Sequence, residues 1–168
     1  EAALQVLDHL GIERLAAIVG ASYGGMVALA FGERHPSRVQ RLVVISAADM
    51  PHPMATAWRS VQRNIARLGL AAGKPGEALE LSRALAMSTY RSPEEFVARF
   101  RGAPRREGDR YVFPVEEYLN ARGRDYAARN RPESFICLSE SIDLHQVDVT
   151  RVAVRTEVVA VREDQLVP

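Results

Sequence analysis

The chain has 168 residues, 47% of them hydrophobic, which is enough to bury one good core. Its 22 basic and 21 acidic side chains nearly cancel, which excludes a strong global field for nucleic acid or an anionic membrane and leaves small molecules or protein subunits as partners. Cys137 is the only cysteine, so a disulfide framework and a cysteine-rich metal site are both excluded.

A reducing, cytoplasmic setting fits this composition. Within the run Phe135-Ile136-Cys137-Leu138 the thiol reads as buried and inert. No apolar stretch is long enough to span a bilayer, and no basic-then-apolar signal sequence is visible.

In chain order, Ala3, Leu4, Leu7 and Leu10 open a helical pattern directly at Glu1. Three short runs rich in β-branched residues follow at Leu15 to Val19, Leu42 to Ser46 and Thr156 to Val161, apolar on both faces as in buried parallel strands. Between the first two, Met26 to Arg34 is helical and stops near Pro36, completing a strand-helix-strand unit.

From Pro53 to Val149 no convincing strand is present, and the interval is too long for a crossover, so it reads as an inserted helical subdomain. Its first helix repeats Met54, Trp58, Val61, Ile65 and Leu68 at helical spacing, with Arg59, Arg63 and Arg67 on another face. Glu77 to Tyr90 forms the next helix. A third starts at Ser92-Pro93-Glu94-Glu95 and runs to about Phe100. Gly102 to Arg110 reads as a basic, turn-rich loop, followed by helices from Val115 to about Ala128 and from Glu133 to about Leu144.

The fold class is therefore α/β. Residues 1–50 form the core, 51–150 a helical lid insertion, and 151–168 a return to the core as a strand and an acid-bearing loop. Because Pro168 follows that strand directly, the chain reads as an internal fragment of a larger protein.

The chemistry resides in Gly20-Ala21-Ser22-Tyr23-Gly24-Gly25. A serine hydroxyl is a weak nucleophile, and a sharp strand-to-helix turn between small residues is one way to project it from a sheet. In this G-x-S-x-G pattern Ser22 is the nucleophile, and the backbone N–H of Tyr23 is an oxyanion donor near a helix N-terminus. A phosphate-loop reading lacks the lysine and hydroxyl, and a dinucleotide-binding reading fails on glycine spacing.

The triad acid should follow a later strand, where Asp164 stands; Asp49, just past the second strand, competes. A histidine base should come later still, whereas His9, His35, His52 and His145 all precede Asp164 and read as surface or helix-end residues. The base is thus expected beyond Pro168, and the second oxyanion donor before Glu1.

On these residues the sequence resembles the homoserine O-acyltransferases, α/β-hydrolase-fold enzymes of methionine biosynthesis. The match includes Gly20 to Met26, Trp58-Arg59-Ser60-Val61-Gln62-Arg63, the stretch Leu81 to Arg91, and Glu163-Asp164-Gln165-Leu166. The resemblance implies Ser22 as acyl-accepting nucleophile, Asp164 as triad acid, Arg83 and Tyr90 as contacts to L-homoserine, and a homodimer joined through the helical lid. It implies no bound cofactor and no metal.

Acetyl-CoA is the expected acyl donor and succinyl-CoA the alternative, because some succinyl-specific members carry arginine two residues past the triad aspartate, where this chain has Leu166. Arg59 or Arg63 could supply the missing cation. If Arg83, Met87 and Tyr90 share a helix face, all three look into one cleft. A serine esterase or peptidase with the same elbow, and an inactive helical interaction module, are the competing readings.

Overall fold

Runs of small and β-branched residues become strands, and prolines mark the first turn of most helices, in a computed structural model that describes residues 2–168. In chain order the elements are α1 (Ala2–His9), β1 (Ile18–Ala21), α2 (Tyr23–Arg34), a 3-10 turn (Pro36–Arg38), β2 (Arg41–Ile45), α3 (Pro53–Ala71) and α4 (Pro75–Met87). These are followed by α5 (Pro93–Phe100), β3 (Arg105–Glu107), β4 (Arg110–Val112), α6 (Pro114–Ala127), α7 (Pro132–Asp143), a 3-10 turn (Val149–Arg151) and β5 (Arg155–Val159). The chain divides into two compact units.

The first unit comprises the chain up to Pro51 together with Leu144–Arg162 and Val167. Its parallel sheet has the order β1-β2-β5, with Ile18 opposite Leu42 and Leu42 opposite Thr156. Leu29 of α2 packs with Val39, Leu42, Val44, Val147 and Val154 to make the core. Among the described residues only β2 has a strand on each side. α2 packs against β1 and β2, and the edge strands keep open surface: Val19 and Val158 are 64% and 62% exposed, so the expectation of three buried strands holds for the central one alone. Leu15 lies outside β1 and makes an isolated parallel bridge to Val39.

The second unit comprises His52–Asp143, Glu163–Leu166 and Pro168. Here α4 packs against both α3 and α6, while α7 packs against α3. The predicted apolar stripe on α3 is not its buried face. Met54, Val61 and Leu68 are exposed and Trp58 and Ile65 half-buried, while the residues the helix fully buries are Ala55, Gln62, Arg63, Ala66 and Gly69. Small residues let the α3 and α4 backbones approach, and the wholly buried Ser82 hydroxyl lies within hydrogen-bonding reach of the Gln62 and Ala78 carbonyls at 2.9 and 2.8 Å.

The arginine face of α3 meets α7. Asp143 accepts from Arg59 Nε at 2.7 Å and Thr56 Oγ1 at 2.9 Å, and it also binds Arg63. Burial pushes the Asp143 carboxyl up. The hydrogen bonds from Arg59, Arg63 and Thr56 together outweigh that effect and hold it below the usual carboxylate range.

Two further expectations are corrected. Gly102 to Arg110 is not simply a loop: Arg105–Glu107 and Arg110–Val112 pair as a short antiparallel hairpin, turning through Gly108 at φ 61°. Its strands carry charge where apolar alternation would have signalled them, and Arg105 ties Glu107 to Glu117 of α6. Cys137 is exposed, because the buried face of α7 runs through Phe135 and Ser139 on either side of it. Among the described residues no helix is long and apolar enough to cross a membrane, and no cluster of ligating side chains could hold a metal ion.

Candidate active site

β1 runs directly into Ser22, and α2 begins at the next residue. Ser22 has φ 52° and ψ −122°, a backbone conformation that costs an L-residue about 1–3 kcal/mol. The strain is held in place by a specific set of contacts. The Ser22 N–H donates to the Ile45 carbonyl at the end of β2 at 2.8 Å, while the Ser22 carbonyl accepts from Gly25 and Met26 at 2.9 and 3.1 Å.

No side chain fits on the inner side of this turn. A Cβ on Gly20 would lie 2.1 Å from the Gly24 carbonyl oxygen, and one on Gly25 would lie 2.6 Å from the Ala47 Cβ. Gly24 by contrast faces open space. Ser22 is exposed and makes no side-chain cap to its helix, so its hydroxyl is presented outward. Tyr23, the expected oxyanion donor, is the first residue of α2. Ser46, at the end of the neighbouring strand, also has positive φ, at 44°, and its N–H donates to Val159 of β5 at 2.8 Å.

Asp164 lies in the loop after β5 and accepts the Leu166 N–H at 2.9 Å. The competing Asp49 uses its backbone carbonyl to accept from Val147 at 3.0 Å. The histidines take local roles. His9 closes α1. His35 caps α2 and packs edge-on against Phe31, with ring centroids 5.3 Å apart. His52 caps α3, its Nδ1 accepting the Met54 N–H at 3.3 Å. His145 lies beyond the end of α7 rather than terminating it; its Nε2 is buried without a hydrogen-bond partner, and burial pushes its pKa down.

Arg83 and Tyr90 are brought together, though not by a shared helix face. α4 ends at Met87, because the Ser88 and Thr89 hydroxyls donate back to Leu85 and Ala86 at 2.7 and 2.8 Å, and Tyr90 follows in the turn. Arg83 Nη1 still donates to the Tyr90 hydroxyl at 3.2 Å, and the guanidinium carbon lies 5.0 Å from that ring's centroid.

Tyr126 of α6 covers the same guanidinium at 4.8 Å, a contact that the sequence reading missed. Its only sequence signal is a tyrosine on a helix opposite Arg83, visible once α4 and α6 are known to pack. Burial pushes the Tyr126 phenol up and keeps it neutral. Arg83, Met87 and Tyr126 line a cavity of about 540 Å³, whereas Tyr90 sits outside its lining. Arg59 and Arg63, considered above as cations for a succinyl group, are both held by Asp143.

Three comparisons place the chain among known proteins. The family model described as the alpha/beta hydrolase fold matches residues 1–130. A homoserine O-succinyltransferase from Xanthomonas campestris pv. campestris is 46% identical over 168 residues, which are the whole of this chain and 46% of that protein. A homoserine O-acetyltransferase from Thermus thermophilus is 38% identical over 146 residues, covering 85% of this chain and 36% of the other. The crystal structure of a homoserine O-acetyltransferase from Staphylococcus aureus superposes with a TM-score of 0.78 at 23% identity, covering 99% of this chain and 49% of that one. The chain thus spans between about a third and a half of the length of these relatives.

Proposed function

From the premise that this chain belongs to the α/β-hydrolase fold family and, within it, to the homoserine O-acyltransferases, we propose that the whole protein moves an acyl group from a CoA thioester to the side-chain hydroxyl of L-homoserine. The observation that carries this is Ser22, exposed on a strained turn at the head of α2. Ser22 Oγ attacks the thioester carbonyl and gives up its proton to a base. The tetrahedral oxyanion, facing the Tyr23 N–H, collapses with loss of CoA as the thiol, and the acyl group remains as an ester on Ser22.

Homoserine then attacks that ester through its hydroxyl and leaves as the O-acyl product, restoring Ser22. Arg83 pairs with the amino acid's carboxylate, and the Tyr90 and Tyr126 rings hold the guanidinium plane. Asp164 orients the base, which this reading assigns to the part of the relatives' length that the chain does not span. Exclusion of water from the acyl-enzyme favours transfer over hydrolysis. The exposed Met54, Val61 and Leu68 stripe on α3 supports a homodimer through the helical unit.

Leu166, which offers no cation, supports acetyl-CoA as donor. A second reading, succinyl-CoA, is favoured by the 46% identity to a succinyltransferase along the whole chain. The whole protein incubated with homoserine and each donor in turn tests both readings. O-acylhomoserine is the expected product, and the donor with the higher kcat/KM identifies the acyl group. Thioester hydrolysis without O-acylhomoserine from either donor would replace the transferase with an esterase.

A further inference from the structure

We infer that the arginine-lined cavity of the helical unit binds the phosphate groups of the CoA thioester, an inference that rests on the acyltransferase reading above. The cavity, about 540 Å³, is of a size that takes a nucleotide-like group, and Arg83, Arg91, Arg99, Arg122 and Arg129 line it. Two carboxylates answer these five guanidinium groups. Glu95 is shared by Arg91 and Arg99, and Asp125 pairs with Arg122 at 2.8 Å.

Arg83 and Arg129 have no carboxylate partner among the described residues; the Nε of Arg129 donates to the Asp125 backbone carbonyl at 2.9 Å. In a chain whose formal charge is only +1, this is a local concentration of positive charge on one surface.

The number of cations identifies the ligand class. The carboxylate of an amino acid occupies one guanidinium, the role given to Arg83, and a succinyl group would add one more carboxylate. Four further arginines remain, two of their charges offset by Glu95 and Asp125; the surplus of two exceeds the one a succinyl group would need and suits a pyrophosphate with a ribose phosphate, each of which accepts bidentate hydrogen bonds. The groups are also held in place. The Arg91 and Arg99 guanidinium carbons lie 5.5 and 5.4 Å from the Tyr118 ring centroid, and Tyr118 donates orientation a second way, its hydroxyl accepting Arg91 Nε at 3.0 Å. Cations fixed before the ligand arrives lose little freedom on binding it.

The test uses the whole protein with Arg122→Ala, Arg129→Ala and the double variant, and Arg110→Ala on the hairpin as a surface control. The readout is the ratio of kcat/KM for acetyl-CoA to that for p-nitrophenyl acetate, an acyl donor without phosphate. Each cavity arginine removed is expected to lower this ratio about tenfold, and added salt to narrow the gap to wild type.

Titration with adenosine 3′,5′-bisphosphate gives a second readout, independent of turnover, in which the double variant is expected to bind at least tenfold more weakly. An unchanged ratio together with unchanged bisphosphate affinity overturns the inference, as does loss of the dimer with the ratio intact, which would assign these arginines to a subunit contact. If wild type makes no O-acylhomoserine yet binds the bisphosphate through Arg122 and Arg129, the transferase reading falls and the phosphate site stands.

Discussion

Replacing Ser22 by glycine should stabilise the whole protein relative to Ser22→Ala while both variants lose acyl transfer. The Ala variant keeps a Cβ at φ 52°, whereas glycine adopts that conformation freely. Relief of strain is worth about 1–3 kcal/mol, and the extra unfolded-state freedom of glycine returns roughly 0.5–1 kcal/mol of it. A net advantage of about 1 kcal/mol for glycine remains, which with an m-value of about 1–3 kcal/mol/M places its urea midpoint roughly 0.3–1 M above that of the Ala variant. Equilibrium urea unfolding of the two variants measures this directly. An Ala variant as stable as the glycine one would show that the turn stores no strain, and the hydroxyl's forced presentation would lose its physical basis.

Other consequences follow from the same contacts. Gly20→Ala places a methyl group 2.1 Å from the Gly24 carbonyl and should cost about 3 kcal/mol or more, with Ser22 no longer labelled by a fluorophosphonate probe. Asp143→Asn leaves Arg59 and Arg63 facing a neutral group and should destabilise the protein by about 2–3 kcal/mol in urea titrations. Because the folded Asp143 has a depressed pKa, its contribution is present above the ordinary carboxylate pKa and is lost as pH falls through the folded value.

His145 acts in the same direction at a higher pH. Its folded pKa is lowered by burial, so stability is intact above about 6.5 and declines as pH falls from there towards the folded value; His145→Gln should flatten that decline in thermal unfolding measured below about pH 6.5. The 168-residue chain produced alone should aggregate through the open edges of β1 and β5, and Val19→Thr with Val158→Thr should raise its soluble fraction.

The elbow could be read from sequence because its chemistry is local: two strand residues, a serine between glycines and a helix start occupy consecutive positions. The helix starts near Pro93 and Pro132 were legible for the same reason, with Ser92 capping α5 through the Glu95 N–H at 3.3 Å. What depended on partners was not legible. The stripe Met54, Trp58, Val61, Ile65 and Leu68 has the period of a buried face, yet only Trp58 and Ile65 are even half-buried and α3 turns its small residues inward, because a close helix contact selects for size as well as hydropathy. Tyr126 stacks on a residue 43 positions earlier in the chain, which no local pattern encodes. The hairpin at Arg105 escaped notice because ion pairs, rather than alternating apolar residues, hold it to α6.

The most direct measurement is peptide mass mapping of the whole protein mixed with acetyl-CoA or succinyl-CoA in the absence of acceptor. The account predicts an acyl group on the peptide containing Ser22 and its disappearance, with O-acylhomoserine formed in equal amount, when L-homoserine is added. An unmodified Ser22 peptide under conditions where the donor is consumed, or an acyl group that homoserine does not remove, would contradict it.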